Sequence, residues 1–275
     1  SGFIKNNLRT YGMLLSLFAI MLFFQVMTDG TLLQPLNLTN LVLQNSYIVI
    51  MALGMLLVIV TGHIDLSVGS VAGFVGAVAA VLMVRYQVDY PLAFIACLLV
   101  GAAIGAAQGY WVAYFGIPSF IVTLAGMLVF KGLALALLQG QSVGPFPATF
   151  QKLSSGFIPE LLPDVGTLHP TSLLIGIVLA FALVYASARS RAREHSHRIE
   201  VEPYAFFVAK SAVLSGAVIY FTYLIASHRG LPNVLVIMTV LIAFYAFITR
   251  RTVIGRQIYA VGGNYKAAQL SGIGT

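Results

Sequence analysis

Gly62-His63-Ile64-Asp65-Leu66-Ser67-Val68-Gly69 separates two apolar runs, Leu41 to Val60 and Val71 to Val84. An acid and a histidine two positions apart, edged by glycines, interrupt what is otherwise hydrophobic bulk. An unpaired carboxylate in hydrocarbon is costly, so Asp65 has to reach water or find a partner. The stretch is either a turn joining two spans at the membrane face or a broken, re-entrant element whose turn lies at depth. Irregular backbone at membrane depth is tolerated only against protein or a watery cavity.

The flanking runs are typical of the chain. Of its 275 residues 59% are hydrophobic and 8% charged, whereas a soluble domain carries about a quarter charged residues. The fold class is all-α: a polytopic transmembrane helical bundle forming one domain over residues 1–275. At roughly 20 residues per span the apolar material makes about eight helices. Hydropathy places them at about 11–28, 41–61, 68–84, 92–115, 119–140, 171–188, 204–226 and 231–249.

The net charge of +7 does not point to nucleic acid, because the basic residues gather in a few loops. Arg189, Arg191, Arg193 and Arg198 share one, and Arg250, Arg251 and Arg256 follow the last span. With a cytoplasmic amino terminus both clusters fall inside, as the positive-inside rule requires. The first run, Tyr11 to Met27, follows Lys5 and Arg9 without a small-residue cleavage site and reads as a retained signal anchor. A single cysteine, Cys97, rules out a disulfide framework within the chain.

Small residues recur at helical spacing at Gly101, Gly105 and Gly109, and again at Gly69, Ala72, Gly73, Gly76 and Ala80. Such stripes let another helix approach closely. Ile117-Pro118-Ser119 opens the fifth span, with Ser119 suited to cap it. Lys131 lies inside that span, either snorkelling to the outer headgroups or, in the re-entrant geometry, pairing with Asp65. The Pro- and Gly-rich connection Gln141 to Pro170 is an outer docking surface or an ordinary loop. His195-Ser-His197 is read as part of a solvated basic loop rather than as a metal site.

Residues 262–273 read as a short cytoplasmic helix, capped by Asn264 and ended by Gly272. Ala267 and Ala268 give it a flat face against which a partner protein fits. The chain lacks the Gly-x-x-x-x-Gly-Lys-Ser/Thr phosphate loop, the His-Glu-x-x-His zinc helix and the Gly-x-Ser-x-Gly elbow. His63 and Asp65 have no third orienting group in sequence, which argues against a membrane enzyme.

Three separated motifs carry a family resemblance. Gly62 to Gly69, Pro118-Ser-Phe-Ile-Val-Thr-Leu-Ala-Gly-Met-Leu128 and Gly255-Arg-Gln-Ile-Tyr-Ala-Val-Gly-Gly-Asn264, followed by Ala267, Ala268, Leu270 and Gly272, resemble the permease subunits of bacterial sugar ABC importers. The branch most similar is the xylose-type permease within the ribose, galactose and xylose group. The resemblance implies a multi-pass protein of the bacterial inner membrane, working as a homodimer. It implies a separate cytoplasmic ATPase subunit that holds ATP and Mg, with no cofactor in this chain, and a periplasmic sugar-binding protein.

It also implies that Asn264, Tyr265, Lys266, Ala267, Ala268, Leu270 and Gly272 form the coupling helix that seats on the ATPase, and that the family has further membrane helices beyond those here. Two positions depart from the pattern. His63 stands where this branch has an acid or glycine, and Lys266 where Glu is common, opposing the helix dipole.

A neutral sugar needs hydrogen-bonding groups at a few weak stations. His63, Asp65 and Ser67 are expected to line its path or to lock the turn that gates it, with Asn45, Gln108 and Lys131 beside them. The plainer role for Asp65 is to cap the helix beginning near Val68. A secondary sugar transporter or uniporter working without an ATPase, and a structural scaffold, are the rival classes.

Overall fold

The computed structural model describes residues 8–163, 166–196 and 203–275. Lys5, His197 and Arg198 lie outside the described residues, as do the side chains of Arg9 and His195. The elements are α1 (Leu8–Met27), α2 (Pro35–Val60), α3 (Val68–Ala80, continued by a π turn Val81–Arg85), α4 (Tyr90–Phe115), α5 (Ser119–Leu138), α6 (Ala148–Ser155), α7 (Pro170–Ser196), α8 (Tyr204–Ala226), α9 (Asn233–Arg251), α10 (Val253–Gly263) and α11 (Tyr265–Leu270).

Seven of these, α2 to α5 and α7 to α9, are long and apolar enough to cross a membrane, and Gly12–Met27 in α1 is a shorter apolar helix. They answer one for one to the eight expected spans. Large apolar side chains such as Leu15, Leu22, Phe181 and Val213 face outward, the arrangement of a protein whose solvent is lipid.

The chain divides into two compact units. Residues 1–44 and 157–233 make the first, residues 45–156 and 234–275 the second. In the first, α7 and α8 pack so closely that a Cβ on Gly176 would overlap the buried Thr222 side chain. The loop before α7 is stitched to the turn after α8 by Ile158 N to Leu231 O (2.9 Å), His169 N to Ala226 O (3.0 Å) and Leu231 N to Ser172 Oγ (2.8 Å). Glu160 closes this corner, accepting from Thr171 N at 3.2 Å and meeting His169 Nδ1 at 3.1 Å.

In the second unit α3 lies between α4 and α5, with Ala79, Met83, Ala93 and Cys97 forming a buried cluster onto which Phe146 and Phe150, flanking the start of α6, also pack. The Arg85 guanidinium donates to the Leu137 and Leu138 carbonyls, each at 3.4 Å, supplying a cation and donors to the end of α5. The glycine stripes do not mediate most of this packing. Gly73, Gly76, Gly105 and Gly109 would have nothing within 4 Å of an added Cβ. The close approaches are made at Gly126, Gly176, Gly255 and Gly262 instead.

After α9 the chain forms two helices where the sequence suggested one over 262–273. Thr252 caps α10, its Oγ1 accepting from Gly255 N at 3.1 Å, so Gly262 and Gly263 close α10 and α11 starts only at Tyr265.

Candidate functional site

The Gly62 to Gly69 turn begins where α2 ends. Gly62 N bonds to Ile59 O and His63 N to Val58 O, with Gly62 at φ +83°. This double bond pattern around a left-handed residue stops a helix while satisfying two of its last carbonyls. The next residues run across α5: Ile64 N donates to Ser119 Oγ at 3.2 Å, and the buried Thr123 hydroxyl reaches Ile64 O at 3.2 Å as well as Ser119 O of its own helix at 2.8 Å.

Asp65 does not cap α3. Its Oδ1 accepts from both Ser67 N and Ser67 Oγ at 2.7 Å, and Ser67, at the N-cap position, makes no side-chain cap bond. The carboxylate is consumed two residues onward, the local turn that Asp favours, before it reaches a helix amide. Ser119 likewise is no cap, for Pro118 holds that position and the hydroxyl serves Ile64.

Ser67 is buried, and its Oγ also lies 3.1 Å from Gln108 Oε1. One hydroxyl proton serves one acceptor, and a carboxylate oxygen outcompetes an amide carbonyl. The Gln108 Nε2, buried and without a partner in this orientation, gains one if the amide is turned over to donate to Ser67 Oγ. The result is a chain of bonds from Gln108 to Ser67 to Asp65. Only glycine fits opposite, because a Cβ on Gly126 would overlap the Gln108 amide.

The trio places the turn against the last two turns of α4. Past Gln108, α4 continues to Phe115, about 10 Å further at 1.5 Å per residue. Tyr110, Trp111, Tyr114 and Phe115 on that last stretch are exposed, and their rings pair at 4.9 Å (Tyr110 and Tyr114) and 4.8 Å (Trp111 and Phe115). Exposed aromatics of this kind mark a headgroup level. Of the turn residues Ser67 is buried and Asp65 half-buried, while Gly62, His63, Ile64 and Leu66 are exposed.

The other expected path residues stand apart. His63 is exposed on the turn. Asn45 is exposed on α2, about 22 Å from Val60 along the helix. Lys131 is exposed on α5, about 12 Å along the axis from Thr123, and no ion pair joins it to Asp65, so the pairing considered above is not made. Ser119, Thr123 and Gly126 belong to the turn's environment and were not singled out for it from sequence, although all three fall in the second motif.

At the far end, Asn264 Oδ1 caps α11 by accepting from Ala267 N at 3.0 Å. Gly272, at φ +80°, ends it with Gly272 N to Gln269 O and Ile273 N to Ala268 O, both 3.1 Å. The two alanines do not form one open face, since Ala268 is buried while Ala267 is exposed. Tyr265, Lys266 and Leu270 stand out, Leu270 at 90% exposure.

A protein family described as branched-chain amino acid transport system / permease component matches residues 37–275. The xylose transport system permease protein XylH of Escherichia coli K12 is 37% identical over 273 residues, 99% of this chain and 67% of the relative. That of Haemophilus influenzae is 37% identical over 267 residues, 97% of this chain and 69% of the relative. The ribose import permease protein RbsC of E. coli K12 is 46% identical over 107 residues, 39% of this chain and 33% of the relative. No solved structure matches significantly.

Proposed function

The chain belongs to the permease family described as branched-chain amino acid transport system / permease component, and on that premise we propose that it is the membrane-spanning permease subunit of an ATP-driven importer of a pentose or hexose, xylose foremost. The observation that carries this reading is its similarity, over 97–99% of this chain, to xylose transport permeases.

In this reading two copies form the translocation path. A periplasmic binding protein delivers the sugar, and a separate cytoplasmic ATPase holds ATP and Mg and seats on α11. The protein is multi-pass in the inner membrane with its amino terminus inside, which puts Arg189, Arg191, Arg193, Arg250, Arg251 and Arg256 on the cytoplasmic side. The exposed Tyr265, Lys266, Ala267 and Leu270 are the surface that the ATPase takes, while Asn264 and Gly272 set the helix ends.

Asp65, Ser67 and Gln108 act as a lock on the Gly62 to Gly69 turn rather than as a sugar station. Their polar atoms bond to one another, which supports holding a gate element in place more than binding cargo. His63, exposed on the same turn, is a polar side chain open to a passing sugar.

Co-purification of the full-length protein with its ATPase and binding protein, followed by ATP hydrolysis in lipid, tests the reading. Xylose-loaded binding protein is expected to stimulate hydrolysis. Uptake that persists in vesicles lacking any ATPase would instead identify a secondary transporter or uniporter, and no sugar dependence in any assembly would identify a scaffold.

A further inference from the structure

Between α10, which leads into α11, and the end of α2, which leads into the Gly62 to Gly69 turn, there is a direct backbone contact. A Cβ on Gly262 would overlap the Val60 carbonyl oxygen, lie 2.8 Å from the Val60 carbonyl carbon and 3.5 Å from Thr61 Cα. Gly262 is in the last turn of α10, two residues before the Asn264 cap; Val60 is the last residue of α2. The carbonyls of Val58 and Ile59 are taken by His63 and Gly62, and the Val60 carbonyl faces the hydrogen that glycine carries where other residues have Cβ. Such a Cα–H···O contact brings two backbones as close as helices come.

We propose that Gly262 is the transmission contact of the permease, through which displacement of α11 by its ATPase reaches the Gly62 to Ser67 turn and its Asp65–Ser67–Gln108 lock. The inference rests on the coupling reading of α11 given above.

Two features make this contact suited to the task. It is backbone on backbone, so no rotamer change absorbs a push. It falls on the residue before the turn, so motion of Val60 enters Thr61 and Gly62 immediately. A second, ordinary contact lies six residues back along α2, where a Cβ on Gly54 would sit 3.9 Å from Tyr245 Oη of α9.

The test is amide exchange, with and without Mg-ATP, on the full-length protein assembled with its ATPase and binding protein in lipid. In the wild type, nucleotide is expected to change exchange at residues 264–271 and at 60–67 together. In Gly262→Ala the response at 264–271 stays, the response at 60–67 is lost, and sugar stimulation of hydrolysis falls roughly tenfold. Gly263→Ala, whose added Cβ meets nothing within 4 Å, behaves as the wild type.

A wild-type response at 264–271 with none at 60–67 overturns the proposal whatever the variants do, including a variant that fails to assemble. So does a Gly262→Ala protein with both responses intact. A wild-type assembly without any response at 264–271 refutes the coupling reading itself, and the transmission contact with it.

Discussion

Ser67 is the residue on which the turn depends, since its backbone and hydroxyl both serve Asp65 while its oxygen faces Gln108. Ser67→Ala leaves a buried amide without a partner and is expected to cost about 1–3 kcal/mol, read as a lowered midpoint of thermal unfolding in detergent. Adding Gln108→Met to it removes the stranded group, and the double variant is expected to be more stable than Ser67→Ala alone. Asp65→Asn keeps an acceptor for Ser67 N and is expected to retain most uptake, whereas Asp65→Ala loses it; equal uptake in the two would deny the lock. At the corner between α7 and the turn after α8, burial pushes the Glu160 pKa up, but hydrogen bonding from Thr171 and the nearby His169 together outweigh it and hold the carboxyl below its ordinary value. A depressed carboxyl stabilises the fold above the unfolded value and loses that contribution as pH falls through the folded one. The stability difference between wild type and Glu160→Gln is therefore expected at neutral pH and to fade below about pH 4. An unchanged difference at low pH would contradict the assignment. Asp65 was legible from sequence as an acid needing a partner, yet its partner was misjudged, because Asp-x-Ser closes on itself before a helix amide is reached.

At the scale of elements, the glycines divide by what faces them. Gly176→Ala is expected to push α7 from α8 and cost about 1–3 kcal/mol, because its Cβ would overlap Thr222. Gly105→Ala, with open space around it, is expected to be neutral or to stabilise by about 0.5–1 kcal/mol. Thermal unfolding of the two variants side by side measures the contrast. Spacing singled out Gly105 and not Gly176: periodicity shows that a helix has a small-residue face, not which neighbour occupies it. The spans themselves were legible because lipid imposes a length and an apolar composition on each. Helix α10 was not, since a helix of 11 residues carries neither signal, and its start rests on Thr252 Oγ1 accepting from Gly255 N. Asn264 and Gly272 were legible as cap and stop because their chemistry is local. Gly272→Ala, forced to φ +80°, is expected to cost about 1 kcal/mol and to weaken ATPase assembly more than basal folding.

For the whole molecule, the sequence carries the membrane-spanning class in its composition and the family in three motifs, while the lock joins residues as far apart as Ser67 and Gln108 that no local pattern links. What unites them is the α10–α11 segment, the Gly62 to Gly69 turn and a backbone contact between α10 and the residue before that turn, an arrangement that in the proposed reading converts events in another subunit into motion of this one. The most direct measurement is xylose uptake by proteoliposomes holding the full-length permease, its ATPase and its binding protein, with ATP supplied on the ATPase side. Uptake is expected to require hydrolysable ATP and to stop when the ATPase is made hydrolysis-deficient. Uptake that continues at the same rate without hydrolysis would contradict the account.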